Sequence, residues 1–83
     1  MGVSEAEPAV SVFPNPATSQ VTVNAEGIRQ VEIRNLLGQQ VVSMEGNGSG
    51  SLTIGLSGLA KGVYLVTVWN KEGAGTTKKL VVE

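Results

Sequence analysis

The stretch Leu56-Ser57-Gly58-Leu59-Ala60-Lys61-Gly62-Val63-Tyr64-Leu65-Val66-Thr67-Val68 restricts the fold more than any other part of this chain. A leucine, a short polar step, a glycine and a tyrosine lead into a β-branched run. In antiparallel sandwiches such a tyrosine packs where the chain crosses between sheets, and its hydroxyl bonds to backbone a few residues upstream. Gly62 and Tyr64 are read as that corner, a packing role preferred here to a ligand contact. The expectation is an all-β chain.

The rest of the sequence supports it. Short alternating runs separated by turn residues at near-regular spacing are the all-β pattern. Strands are expected near Ala9–Phe13, Gln20–Asn24, Arg29–Asn35, Gln39–Met44, Ser51–Leu56, Val63–Asn70 and Thr76–Val82. A period of two assigns Val21/Val23, Val31/Ile33, Leu52/Ile54/Leu56, Tyr64/Val66/Val68 and Leu80/Val82 to one inward face. The register of Val41-Val42 stays open. Val63-Tyr64-Leu65-Val66 is apolar on both faces, which suits a central, partly covered strand. No ten residues carry a helical period. Leu37-Gly38-Gln39 reads as a hairpin turn with Gly38 at positive φ.

Pro14-Asn15-Pro16 is the second landmark. Two prolines remove two backbone donors and push Phe13 and Asn15 towards extended conformations. A central strand cannot continue through that segment, so the chain bends or leaves the sheet. The motif is read as a backbone device, with protein recognition as the alternative.

Composition narrows the function. Eighty-three residues make one domain, with 41% hydrophobic side chains for a thin core. There is no cysteine and no histidine, and all seven acidic residues are glutamates. Nucleophile–base pairs and zinc or calcium clusters cannot be assembled from that set, so neither catalysis nor a metal or other cofactor is expected. A net charge of −1 with interspersed signs gives no nucleic-acid footprint. No apolar run reaches the roughly 18 residues of a membrane helix, so direct membrane insertion is not expected. The opening Met1-Gly2-Val3-Ser4-Glu5-Ala6 lacks the basic and apolar runs of a secretory signal. Residues 1–8, acidic and containing Pro8, read as a linker remnant, and 9–83 as the domain.

Three features have two readings each. Gly46-Asn47-Gly48-Ser49-Gly50 is a flexible inter-strand loop rather than a phosphate cradle, since it lacks the lysine and following helix. Trp69 is a packing residue or a carbohydrate platform. Lys78-Lys79 either contacts an export receptor or guards a sheet edge against aggregation.

Taken in order, four blocks carry a resemblance: Val12-Phe13-Pro14-Asn15-Pro16-Ala17, Val31 to Val41 with its Asn35-Leu36-Leu37-Gly38-Gln39 core, Leu56 to Val66, and Lys78-Lys79-Leu80-Val81-Val82. The chain resembles the type A C-terminal sorting domains of the type IX secretion system of Bacteroidetes. The resemblance implies an immunoglobulin-like antiparallel sandwich of about seven strands with Greek-key connections, at the end of a larger cargo. It implies protein partners: an outer-membrane translocon, a shuttle barrel, and a cysteine-protease sortase that removes the domain. It also implies export through the periplasm to the outer membrane and cell surface. Gly62 and Tyr64 fall on the family's glycine and tyrosine, with Ala60 where proline is usual. Lys79 falls on the first of the family's two late lysines, spaced four apart, and Glu83 stands where the second is usual.

The functional expectation is therefore a secretion address. Recognition candidates are Gly62, Tyr64, Lys78, Lys79, Leu80, Val81, Val82 and Glu83, with Pro14, Asn15, Pro16 and Gly38 as structural motif residues. Cleavage is expected in Val3–Ala9, where a protease needs extended, exposed chain. The alternative is a small adhesive or carbohydrate-binding sandwich, which requires aromatic side chains aligned on one face.

Overall fold

A computed structural model describes residues 10–83. The expected linker at 1–8, and Ala9 at the start of the first expected strand, lie outside the described residues. Five strands follow one another: β1 (Val10–Phe13), β2 (Gln20–Asn35), β3 (Gln40–Gly55), β4 (Gly62–Asn70) and β5 (Gly75–Val82). All strand pairings are antiparallel, in the order β1-β2-β4-β5, with β3 also paired to β2.

Seven expected runs thus become five strands. Gln20–Asn24 and Arg29–Asn35 are one continuous β2, and Gln39–Met44 and Ser51–Leu56 fall within or beside one continuous β3. The reason is a pair of compensating bulges. The β2–β3 register shifts between Asn24 and Ile28 and again between Ile28 and Gln30. Gly27 at φ 61° lies in the first irregular stretch, and Asn47 and Gly48, at φ 54° and 81°, face the second. Extra residues on each strand keep the ladder alive while bending it. Gly46–Gly50, expected to be an inter-strand loop, therefore runs inside β3. A methyl group on Gly46 would lie 2.5 Å from Ile28 Cγ2 and closer still to the Ile28 carbonyl oxygen, so the bend tolerates no side chain there.

The bend lets one sheet bury a single face. Before it, β2 pairs with β1, as in Val12↔Val23; beyond it, β2 pairs with β4, as in Ile33↔Val66. Val21, Val23 and Ala25 from the first half join Ile28, Val31 and Ile33 from the second in one cluster with Ile54, Leu56, Tyr64, Val66, Val68, Leu80 and Val82. Ala17, just past β1, bridges in parallel to Val82 on β5, so the two margins of the sheet meet. The inward alternation holds, with Leu52 only partly buried at the margin. Val42 packs against the core and Val41 faces out. Phe13 is 45% exposed at the end of β1.

β4 is central between β2 and β5. On the outer surface Thr22 faces Thr53 and Thr67 faces Thr77, with hydroxyl oxygens 3.2 and 3.0 Å apart. Such cross-strand pairs pin register on a face that burial does not specify.

Candidate functional site

The β2–β3 and β4–β5 hairpins close with the same chemistry. Asn35 Oδ1 accepts from the backbone N–H of Leu37 and Gln39 at 2.9 and 3.0 Å, while Asn70 Oδ1 accepts from Glu72 and Ala74 at 2.9 and 3.0 Å. Gly38 and Gly73, each three residues after its asparagine, both stand at φ 87°. The short amide side chain satisfies donors that a tight turn leaves free, and glycine supplies the left-handed step.

Tyr64 lies on β4 opposite Asn35 on one side and Leu80 on the other. Its ring is buried and its hydroxyl donates to the Ala60 carbonyl at 2.6 Å. Gly62 pairs with Val82 two steps away, so the corner stands directly beside the last strand.

The Pro14–Ala17 segment lies along the other edge of that strand, and both Phe13-Pro14 and Asn15-Pro16 are cis. Asn15 Nδ2 donates to the Lys79 carbonyl at 2.9 Å, and the Val81 N–H donates to Asn15 Oδ1 at 3.0 Å. Ala17 N–H then donates to the Val81 carbonyl at 2.8 Å and receives Glu83 N–H on its own carbonyl at 2.7 Å. The asparagine side chain stands in for backbone that the prolines cannot offer. From Lys79 to Glu83 the edge of β5 is sealed.

The structure therefore gathers Pro14–Pro16, Gly62, Tyr64 and Leu80–Glu83 at one end, where the Gly38 turn also lies. It does not make one patch of the lysine pair. Lys78 and Lys79 are adjacent in sequence, so a strand sends them to opposite faces. Lys79 pairs across to Leu65 on the outer face, and Lys78 to Val66 on the face that carries the core. Leu80 and Val82 are buried, Val81 is half-buried, and Glu83 is exposed. Sequence reasoning missed the pairing role of Asn15, and it missed Leu36 and Leu37, which are 68% and 85% exposed on the turn. Two leucines ahead of a turn glycine were the available signal.

The far end of the sheet has a different character. An open groove of about 390 Å³ is lined by Arg29, Gln30, Glu45, Asn47, Gly48 and Lys71, and a second of about 240 Å³ by Arg29, Gln30, Glu32 and Trp69. A methyl on Gly75 would meet Trp69 Nε1, Cδ1 and Cε2 at 2.8, 3.1 and 3.4 Å, which sets the indole face against the glycine across the strand pair. Trp69 is half-buried by that packing. Arg34 Nη2 donates to Glu32 Oε1 at 2.7 Å, part-exposed, and an ion pair of that kind contributes little to stability. Among the described residues, no three His, Cys, Asp or Glu side chains are grouped to hold a metal ion.

The family model described as a secretion system C-terminal sorting domain matches residues 11–83. Among curated proteins, an endo-acting ulvan lyase from Formosa agariphila is 35% identical over 77 residues. The match covers 89% of this chain and 15% of that protein, so the chain spans a small fraction of the relative's length.

Proposed function

The chain belongs to the secretion system C-terminal sorting domain family, and from that premise we propose how it serves as the export address of a larger cargo. As a type IX sorting tail it acts through the secretion machinery in export out of the cell. It carries no reaction of its own. The match from within β1 to residue 83 carries this reading, because it takes in β2 to β5 whole and most of β1.

In finer terms, a shuttle barrel and the outer-membrane translocon recognise the folded domain after it reaches the periplasm, and a cysteine-protease sortase removes it at the cell surface. The cut falls in Val3–Ala9, upstream of the domain at 9–83. The recognised end comprises Gly62, Tyr64 and Lys78–Glu83, held in place by Pro14, Asn15, Pro16 and the Gly38 turn. Counted by halves of β2 and β3, the bent sheet has seven runs. These are the two layers of an immunoglobulin-like sandwich with Greek-key connections.

The adhesive or carbohydrate-binding alternative needs several aligned aromatic platforms. Tyr64 is buried in its corner, Phe13 sits on β1, and Trp69 is left alone beside the far groove. The sorting reading is preferred.

The test is a reporter with residues 1–83 at its C-terminus and a signal peptide in front, expressed in a Bacteroidetes cell with a working type IX system. Mass spectrometry of the surface reporter should show the domain absent and a new C-terminus within Val3–Ala9. A surface reporter still carrying the domain contradicts the sortase step.

A further inference from the structure

Four of the five large hydrophobic side chains exposed among the described residues lie at one end of the domain: Leu36, Leu37, Val41 and Leu65. Arg34 pairs with Leu65 and Leu65 with Lys79, which makes one cross-strand row on the outer face. Val41, 37% exposed, is the extra β3 residue where the register shifts beside Arg34. One step nearer the turn, Val63 pairs with Val81, and Leu36 opens the turn after Asn35, the partner of Tyr64. Val63 and Val81 therefore form the next row, with Leu36 and Leu37 on the turn beyond it. A contiguous exposed apolar patch of this kind marks an interaction surface more often than chance exposure does.

The charges around it carry a small positive excess. Lys79 stands in the row itself and Lys61 immediately precedes β4, while Arg34, also in the row, is tied to Glu32 at 2.7 Å. Glu32, paired to Arg34, and Glu83 are the acidic residues at this end, while Glu26, Glu45 and Glu72 lie at the bulges and the β4–β5 turn, at the opposite end. Backbone is not on offer on the β5 side of the patch, because Asn15 and Ala17 occupy that edge from Lys79 to Glu83, whereas β3 pairs only with β2. On the β5 side a partner must read side chains rather than add a strand.

We infer that this outer face, built on Leu36, Leu37, Val41, Val63, Leu65 and Val81 with Arg34 and Lys79 at its border, is where an export receptor docks through an apolar surface rimmed by carboxylates. The inference rests on the sorting function proposed above and specifies its contact. Apolar anchors supply affinity at the centre of such an interface, and the basic border steers the encounter.

The reporter fusion tests it with four variants: Leu36→Ser combined with Leu37→Ser, Leu65→Thr, Lys79→Glu, and Lys71→Glu at the far end. The first three should lower surface delivery on the order of tenfold, as loss of an interface anchor does. The fourth should deliver like the parent. Thermal melts of the isolated domains should stay near the parent for the turn and lysine variants, whose side chains are exposed. If the turn variant melts early, Leu65→Thr and Lys79→Glu decide the question. A parent fusion that never reaches the surface contradicts the sorting function, not the patch. Parent-level delivery by Leu65→Thr and Lys79→Glu overturns the patch. Sedimentation showing that the same leucines pair two copies of this chain reassigns the face and overturns it too.

Discussion

Asn15 and Val81 are 66 residues apart in sequence, yet the Val81 N–H donates to Asn15 Oδ1 at 3.0 Å while Asn15 Nδ2 donates to the neighbouring Lys79 carbonyl at 2.9 Å. One side chain replaces one strand residue. It ties the entry of the domain to its last strand, beside a sequence that two prolines bar from ordinary pairing.

Asn15→Ala should therefore destabilise the whole domain, not a loop. Each lost bond is worth about 1 kcal/mol net, and water can reach both strand groups, so the loss should be about 1–2 kcal/mol. In a domain of this size that lowers the melting temperature by about 4–8 °C per kcal/mol. A thermal melt within a degree of the parent would mean that the bonds contribute nothing.

Tyr64→Phe removes the hydroxyl from the Ala60 carbonyl and leaves the buried ring in place. Urea unfolding should show a loss of about 1 kcal/mol with an unchanged slope. No loss would remove the corner's energetic role.

Two glycines should fail for different reasons. At Gly38 a side chain meets nothing within 4 Å, so Gly38→Val is opposed by the φ of 87° alone, about 1 kcal/mol or more. At Gly46 the obstacle is Ile28 itself, and Gly46→Ala should cost about 1–3 kcal/mol through overpacking. Equal tolerance of both by equilibrium unfolding would contradict the bend.

Gly75→Ala has an optical readout, because Trp69 is the chain's single tryptophan. The added methyl displaces the indole face from the strand, so emission should shift to the red. An unshifted spectrum would contradict the stacking of Trp69 on Gly75.

Much of this fold was legible because burial writes itself into a period of two. Val21/Val23, Val31/Ile33 and Tyr64/Val66/Val68 need only that rule, and the corner needs only Gly62 and Tyr64. Ile28 was not legible, although it is fully buried. It follows Glu26-Gly27, which reads as a break, and the compensation comes from Asn47-Gly48 on another strand. A bulge matched across two strands has no signature in either one. For the same reason the sequence predicts seven runs where the described residues form five strands. The candidate site was legible as a list of residues but not as a surface. Lys78 and Lys79 look like a pair until a strand turns them apart, and Asn15 acts on a partner 66 residues away.

Splitting that pair gives a further expectation. Lys78→Ala and Lys79→Ala should each leave the melt within about 0.5 kcal/mol of the parent. Lys79→Ala should impair surface delivery more, since its side chain borders the exposed apolar rows. The reverse order would move recognition to the face that carries Lys78.

The central claim is that this domain alone is an export address. Its most direct test is surface-exposed reporter, measured by protease accessibility on intact cells, with and without residues 1–83, in cells with and without the type IX translocon. The account predicts surface reporter only where domain and translocon are both present. Reporter reaching the surface equally well without the domain, or with the domain in translocon-null cells, would contradict it.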